Sequence, residues 1–152
     1  MQSGEVRELT PPMRYVQSVI WSPDGQSVFA RGQDEAGRYG AYRIDARTGA
    51  MLSTHRRANL GGFTTLTVAP DGSALYYSGG TLGDASGESA IIRRDLKTDQ
   101  ELVLHTFRGN GGGPSVSPDG RFLMIKENRR RDQTEHLIAV ENAFADLKPP
   151  NR

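Results

Sequence analysis

The sequence predicts an all-β chain made of repeated units of four short antiparallel strands. The tripeptide Pro-Asp-Gly occurs three times in 152 residues, and the aspartates of successive copies are 47 and 48 residues apart. Each copy is flanked by apolar stretches rich in β-branched and aromatic residues, which strands favour. A period of this length, with four strand segments in a unit, is typical of the blades of a β-propeller.

The first two strands of every unit are joined by a turn of defined chemistry. Serine at the first position, proline at the second and glycine at the fourth favour a type I turn. Glycine also tolerates the positive φ that closes a hairpin with a bulge. Ser22 and Ser117 provide the serine in the first and third turns, whereas Ala69 stands in the second. The structural turn residues are Pro23, Asp24 and Gly25; Pro70, Asp71 and Gly72; and Pro118, Asp119 and Gly120.

The repeat divides the chain into three blades. The third strands of the first two blades run into similar junctions, Asp45-Ala46-Arg47-Thr48-Gly49 and Asp95-Leu96-Lys97-Thr98-Asp99. A fourth strand follows each junction, and blade 3 lacks one. We therefore expect blade 1 at residues 15–56, blade 2 at residues 63–106 and blade 3 at residues 113–141.

The two ends of the chain have patterns of their own. Residues 1–10 look like the outer, fourth strand of a neighbouring blade, and in a closed ring they would belong to the blade before blade 1. Residues 142–152 are expected to form a short helix, which Asn142 caps, and a proline-rich tail. Trp21 ends the first strand of blade 1, where we expect core packing, with ligand stacking as the alternative.

These motifs together carry a family resemblance. The Ser-Pro-Asp-Gly turn, the Asp-x-x-Thr-Gly junction and the strand Gly4-Glu5-Val6-Arg7-Glu8-Leu9-Thr10 resemble the TolB-type, WD-repeat-like β-propellers of bacteria. The resemblance covers nearly the whole chain, and the last unit resembles the C-terminal end of such proteins. It implies a scaffold that binds protein or peptide partners, as the sensor or docking part of a larger bacterial protein. It implies no chemistry, because a fold alone does not set a function.

The number of blades bears on assembly. Propellers usually close with four to eight blades, so a fan of three would expose two apolar blade faces, and such patches are rare on stable monomers. One solution is that the chain is a fragment of a larger ring. The other is a homodimer that forms a six-bladed ring through the open blade faces, with Val6–Leu9 exchanged as the missing fourth strand of the partner's third blade.

Composition excludes several classes of function. Nineteen basic residues against 18 acidic residues argue against a nucleic-acid partner, which selects for basic excess. The absence of cysteine rules out disulfides and thiolate chemistry, and no apolar run is long enough to span a membrane. Residues 109–114 lack the lysine of a phosphate-binding loop, and the three histidines are scattered, so we expect no cofactor and no metal. The compartment stays open between periplasm and cytosol, with the periplasm slightly favoured.

The sequence also predicts that the protein is not an enzyme. It contains no Gly-x-Ser-x-Gly motif, which would present a hydrolase nucleophile, and the serine of each Ser-Pro-Asp-Gly is a turn residue. Two alternatives remain beside the scaffold. The chain would be the gating propeller of a prolyl-oligopeptidase-like serine peptidase, or a structural half-propeller that self-assembles.

Binding residues are expected among arginines at one loop-rich end of the blades. The strongest charge run lies between the second and third strands of blade 3, and other arginines lie in hairpins or between blades. These loops would project from one face of a ring and contact an acidic partner; the alternative is that they are solvated loops. The candidates are Arg38, Arg56, Arg57, Arg108, Arg129, Arg130 and Arg131.

Overall fold

The structure is a computed structural model that describes residues 8–9, 11–56, 65–80, 88–108, 114–119, 121–126 and 136–140. The described residues form eleven strands, all paired antiparallel, in three sheets. The chain divides into two compact units, Met1–Arg56 and Arg57–Arg152. Among the described residues, no helix is long and apolar enough to cross a membrane.

The first unit contains one four-stranded sheet, which is blade 1. Its strands lie side by side in chain order, as hairpins joined by short turns require. Buried Val28, Ala30, Tyr42 and Ile44 form a core on one face of the sheet, against which Met13 and Met51 pack. The strands are β1 (Met13–Trp21), β2 (Ser27–Asp34), β3 (Tyr39–Asp45) and β4 (Met51–Arg56).

The second unit contains blade 2 and the three described strands of blade 3. Blade 2 has the same strand order as blade 1, and blade 3 has the order β11-β10-β9. Blade 2 consists of β5 (Thr65–Val68), β6 (Ala74–Gly80), β7 (Glu88–Asp95) and β8 (Glu101–Arg108). Blade 3 consists of β9 (Ser115–Val116), β10 (Phe122–Lys126) and β11 (His136–Val140).

The Pro-Asp-Gly turns are held by their own side chains. In the first, Gly25 N–H donates to the carbonyl of Ser22 at 2.9 Å, and Gly25 has a φ of 67°. Ser22 Oγ donates to Asp24 and accepts from the backbone N–H of Ser27. In the third, Ser117 Oγ donates to Asp119 in the same way. In the second, where alanine replaces serine, Ser73 Oγ donates to Asp71 Oδ1 at 2.7 Å instead.

The junctions after the third strands also depend on an aspartate. Asp45 Oδ1 accepts from the backbone N–H groups of Arg47 and Thr48 and from the Thr48 hydroxyl. Asp95 Oδ1 accepts from the N–H groups of Lys97 and Thr98. Such Asx hydrogen bonds satisfy the backbone where the strand ends, so the repeated Asp-x-x-Thr sequence builds the same turn twice.

Blades 2 and 3 share an apolar contact. Buried Ala69, Ala74 and Tyr76 of blade 2 form a cluster, and Leu104 of blade 2 and Val116 of blade 3 pack against it. Val116 lies on β9, the first strand of its blade. The first strand of blade 3 thus contacts the face of blade 2, which is how repeat units bury apolar surface.

Trp21 corrects one expectation. Its side chain is 63% exposed, so it does not pack in a core of the described chain. Other expectations lie outside the described residues: Val6 and Arg7 of the proposed exchanged strand, and the helix and tail at residues 142–152. Glu8 and Leu9 are described and belong to no strand of this chain.

Candidate functional site

Two of the predicted arginines meet on one buried carboxylate. Asp34 ends β2, and its side chain is only 8% exposed. Its Oδ2 accepts from Arg38 Nε at 2.8 Å and from Arg56 Nη2 at 3.0 Å. Arg38 comes from the β2–β3 hairpin and Arg56 from the end of β4, so the antiparallel register places them at the same edge of the sheet.

The hairpin fixes the carboxylate in place. Gly37 N–H donates to the carbonyl of Asp34 at 2.8 Å, and Gly37 adopts a φ of 76°, which glycine tolerates. Arg38 N–H donates to Asp34 Oδ1 at 2.9 Å. The hydroxyl of buried Tyr42 donates to the carbonyl of Arg38. The backbone of Arg38 is thus hydrogen-bonded at its N–H by Asp34 and at its carbonyl by Tyr42.

The same contacts determine the charge state of Asp34. The hydrogen bond from Arg38 N–H lowers the pKa of the Asp34 carboxyl below its ordinary value, and the guanidinium groups of Arg38 and Arg56 add to this effect. Burial acts in the opposite direction, because it disfavours a charged carboxylate, but does not prevail. Asp34 is therefore an anion at neutral pH that holds two cations.

We call Arg14, Arg38 and Arg56 the arginine edge. The side chains of Arg38 and Arg56 are 57% and 40% exposed, so both guanidinium groups keep contact with solvent. Arg14 on β1 brings Nη1 to 4.0 Å from the position of a Cβ on Gly37. Exposed Glu35 of the same hairpin offsets one of these charges. The edge presents positive charge and planar N–H donors, which match the geometry of carboxylates.

The blade repeat does not require this cluster. In blade 1 Arg56 is paired with Gly40, whereas the corresponding pair in blade 2 is Thr106 with Ala90. The Asp34 position of blade 2 falls outside the described residues. Both sheets form four paired strands, although only blade 1 has an arginine at this position.

The remaining predicted arginines are not brought together by the described structure. Arg57 and Arg129–Arg131 lie outside the described residues, and Arg108 is described as the last residue of β8 by its backbone alone. Sequence reasoning missed Asp34 as their organiser. Its only sequence signal is the Asp-x-x-Gly-Arg hairpin, because the partner Arg56 is 22 residues away.

A second polar cluster lies in blade 2. The guanidinium of buried Arg94 makes two hydrogen bonds of 2.7 Å with Asp99 and one of 3.1 Å with Glu101. The hydroxyl of Tyr77 also donates to Glu101. Burial opposes the charge of Arg94, but the contact with Asp99 outweighs it and raises the Arg94 pKa. Arg94 is only 7% exposed, so this cluster serves packing rather than binding.

Within the described part of the chain, no three histidine, aspartate or glutamate side chains gather as a metal site would require. His55 is buried in blade 1, and His105 of blade 2 lies beside Phe107 with 6.3 Å between the ring centroids.

Solved structures identify the fold. The chain superposes on TolB of Acinetobacter baumannii with a TM-score of 0.62, at 19% identity over 82% of this chain and 29% of that one. It superposes on the tricorn protease with a TM-score of 0.54, at 14% identity over 81% of this chain and 12% of that one. The chain is part of a β-propeller. The predicted all-β fold of four-stranded blades is thereby confirmed.

A curated relative gives a further indication. The chain is 26% identical over 130 residues to the uncharacterized peptidase YuxL of Bacillus subtilis (strain 168), which covers 84% of this chain. It spans only 17% of that relative's length. No family model matches the sequence.

This relative overturns the prediction that the protein is not an enzyme. The propeller chain is related to a peptidase. The prediction was wrong because it searched 152 residues for a nucleophile motif, whereas the matched peptidase is several times longer. A propeller segment contains blade turns and strands, and these motifs do not report on the remainder of a longer protein.

Proposed function

We propose that the chain is part of the propeller domain of a peptidase-related protein and binds acidic peptide segments at its arginine edge. The observation that carries the proposal is the buried carboxylate of Asp34, which holds two partly exposed guanidinium groups at one edge of blade 1. The relationship to a peptidase supports a peptide as the ligand.

The geometry suits an anionic ligand. Ordering the long side chain of an arginine on binding costs conformational entropy, and Asp34 orders two of them in advance. A carboxylate of a bound peptide would accept hydrogen bonds from the planar guanidinium groups, which already face solvent. We also propose Arg57, Arg108 and Arg129–Arg131 as binding residues for an acidic partner.

Binding of labelled peptides tests this function. Fluorescence anisotropy would compare a fluorescein-labelled polyglutamate with polyglutamine. We expect the glutamate peptide to bind more tightly, and the Arg38→Gln/Arg56→Gln variant to lose roughly tenfold in affinity, since hydrogen bonds to charged groups contribute about 1.5–3 kcal/mol. Circular dichroism would establish that the variant retains its β structure.

The control removes the same charge elsewhere. Arg47 and Lys97 are exposed and occupy the same position in the two Asp-x-x-Thr turns, at the opposite end of the third strands. The Arg47→Gln/Lys97→Gln variant should bind polyglutamate almost as well as the parent chain. Equal losses in both double variants would mean that the peptide senses net charge alone, and the arginine edge would be rejected.

Family membership is proposed at a finer level than the fold. The Ser-Pro-Asp-Gly turns and Asp-x-x-Thr junctions support a TolB-type, WD-repeat-like propeller, and a position as the C-terminal sensor or docking part of a larger bacterial protein agrees with them.

A homodimer is also proposed. Two chains would associate through open blade faces, and Val6–Leu9 of each would pair with the third blade of the other. Deletion of residues 1–10 should then weaken the dimer in light scattering on a size-exclusion peak. An unchanged dimer would remove strand exchange from the proposal.

A further inference from the structure

Tyr42 lies close to both arginines that Asp34 holds. Its side chain is fully buried on β3, and its hydroxyl donates to the carbonyl of Arg38 in the β2–β3 hairpin. Tyr42 Cε2 and Arg56 Cγ lie 3.5 Å and 3.4 Å from the place that a Cβ on Gly40 would occupy. One buried side chain therefore holds the hairpin of Arg38 and borders the stem of Arg56.

Gly40 leaves room for this arrangement. Residues two apart on a strand lie on the same face of the sheet, so the ring of Tyr42 passes position 40 on its way to Arg38. A Cβ on Gly40 would lie 2.8 Å from the carbonyl oxygen of His55 and 3.4 Å from Arg56 Cγ, distances at which these neighbours would have to move. Glycine therefore lets the stem of Arg56 cross β3 toward its carboxylate partner on β2.

Blade 2 indicates that the fold does not require a tyrosine at this position of the third strand. Tyr42 is paired with Ala30 on β2, and the corresponding pair in blade 2 is Ile92 with Tyr77 on β6. All four side chains are buried. Both blades thus place one tyrosine and one aliphatic residue in the same pair, but on opposite strands.

The strand that carries the tyrosine decides which end of the blade its hydroxyl reaches. Tyr77 donates to Glu101, which follows the Asp-x-x-Thr junction at one end of blade 2. Tyr42 donates to Arg38, in the hairpin at the opposite end of blade 1. A ring on either strand fills the core, so packing alone does not explain why blade 1 has its tyrosine on the third strand.

We propose that Tyr42 is a positioning residue of the arginine edge. The carbonyl of Arg38 accepts from the Tyr42 hydroxyl and, at 3.1 Å, from the backbone N–H of Asp34. The hydroxyl thereby ties the hairpin to the blade core, and the ring limits the space open to the Arg56 stem. Restricting both arginines before a carboxylate binds reduces the entropy lost on binding. The inference rests on the proposed function and names the residue that prepares its site.

The first measurement needs no ligand. Arg38 Nε–H donates to Asp34, whose side chain is 8% exposed, so its NMR signal should exchange slowly with water; the signal is assigned by its absence from Arg38→Gln. Tyr42→Phe removes only the hydroxyl, and the carbonyl of Arg38 keeps the N–H of Asp34, so the fold should be retained. We expect the Arg38 Nε–H of this variant to exchange roughly two- to fivefold faster, as the loss of one hydrogen bond implies.

The second measurement is binding of the labelled polyglutamate. Tyr42→Phe should bind it roughly two- to fivefold more weakly. Added to Arg38→Gln/Arg56→Gln, the same change should have no further effect, because the side chains that Tyr42 positions are gone. Tyr77→Phe is the matched control: it removes the hydroxyl of an equally buried tyrosine in blade 2 and should alter neither the exchange of Arg38 nor the affinity.

Unchanged exchange of Arg38 Nε–H in Tyr42→Phe would overturn the positioning role. Parent-like affinity of Tyr42→Phe would also overturn it if Arg38→Gln/Arg56→Gln binds weakly, and the proposed function would then stand without Tyr42. Equal losses in Tyr42→Phe and Tyr77→Phe would reject it as well, since any buried hydroxyl would then suffice. If the parent chain does not prefer polyglutamate to polyglutamine, the proposed function fails, whereas faster exchange in Tyr42→Phe alone would still support the positioning of Arg38.

Discussion

Single aspartates stabilise several turns of this chain by accepting hydrogen bonds. Asp45 and Asp95 each accept backbone N–H groups at a strand end, and Asp24, Asp71 and Asp119 do so or accept a serine hydroxyl within the Pro-Asp-Gly turns. A carboxylate accepts these bonds best in its charged form. The fold therefore depends on keeping these residues ionised.

Acid should destabilise the chain through these turns. Hydrogen bonds lower the folded-state pKa of Asp24, Asp45, Asp71, Asp95 and Asp119 from the ordinary value of 3.8. Between the folded and unfolded pKa values the unfolded chain binds more protons, so stability is present at higher pH and falls as pH drops through the folded pKa. Thermal unfolding should show a nearly constant Tm down to ~pH 5 and a decline below it.

Asp45→Asn is the check on that prediction. The amide oxygen can still accept the N–H groups of Arg47 and Thr48, but it does not titrate. The variant should have a lower Tm at neutral pH and a shallower decline in acid. An acid profile as steep as that of the parent chain would show that Asp45 contributes nothing to it.

The polar cluster of blade 2 replaces an apolar one, position by position. Arg94, Asp99 and Glu101 stand where blade 1 has Ile44, Gly49 and Met51, as both the sequence and the strand pairing show. Asp99 has a φ of 61° and Gly49 one of 74°. A left-handed aspartate is strained relative to glycine, and its paired hydrogen bonds with Arg94 offset that strain.

Replacing the polar cluster by the corresponding residues of blade 1 tests whether its hydrogen bonds offset the strain at Asp99. Asp99→Gly relieves the backbone but removes the two hydrogen bonds of 2.7 Å between Asp99 and the buried guanidinium of Arg94, which keeps the one with Glu101, so we expect a loss of about 1–3 kcal/mol in the free energy of unfolding. The triple change Arg94→Ile, Asp99→Gly and Glu101→Met installs the blade 1 solution and should recover most of that loss, because apolar replacements of buried ion pairs are often neutral or stabilising. Urea denaturation would compare them, and a triple variant weaker than Asp99→Gly would contradict it.

At the scale of elements, the sequence predicted where the hairpins lie better than it predicted strand register and the contacts that depend on register. Pro-Asp-Gly and Asp-x-x-Thr have their own turn chemistry, so the hairpins of blades 1 and 2 could be located from local residues. The bulges of β1 have no such signal in the local sequence, because they depend on how β1 pairs with β2. The Asp34–Arg56 contact was missed for the same reason: it requires the register of three strands.

Gly32 is a position where the backbones of β1 and β2 approach closely. A Cβ on Gly32 would collide with the backbone carbonyl of Tyr15, whereas Gly25, at a φ of 67°, has open space around it. Gly32→Ala should therefore push β1 away and cost about 1–3 kcal/mol, as overpacking does. Gly25→Ala should cost about 1–2 kcal/mol through its backbone alone.

Amide hydrogen exchange separates the two alanine variants. Gly32→Ala should speed exchange along β1, because the pairing with β2 is loosened. Gly25→Ala should leave β1 protected and act only near its turn. If both variants leave β1 equally protected, the close approach of Tyr15 to Gly32 does not hold the strand.

At the scale of the whole molecule, the repeat defines a blade and not a ring. The spacing of the turns predicts four-stranded units, and the likeness to TolB confirms them. Ring size depends on how many blades meet and at what angle, and the spacing of the turns predicts neither quantity. The sequence predicted a peptidase propeller only as an alternative, because the chain spans 17% of that relative and its blade motifs do not report on the rest of a longer protein.

What binds one blade to the next can nevertheless be tested at one residue. Val116 of β9 packs against the Ala69, Ala74 and Tyr76 cluster of blade 2, so Val116→Asp would bring a charge onto an apolar surface. We expect a loss of about 1–3 kcal/mol, with faster amide exchange in β9–β11 than in β6 and β7, whose hairpins are closed by their own turns. Ser115→Asp adds the same charge at the exposed neighbour and should leave exchange unchanged. Similar exchange in the two variants would mean that blade 3 is held to blade 2 by something other than Val116.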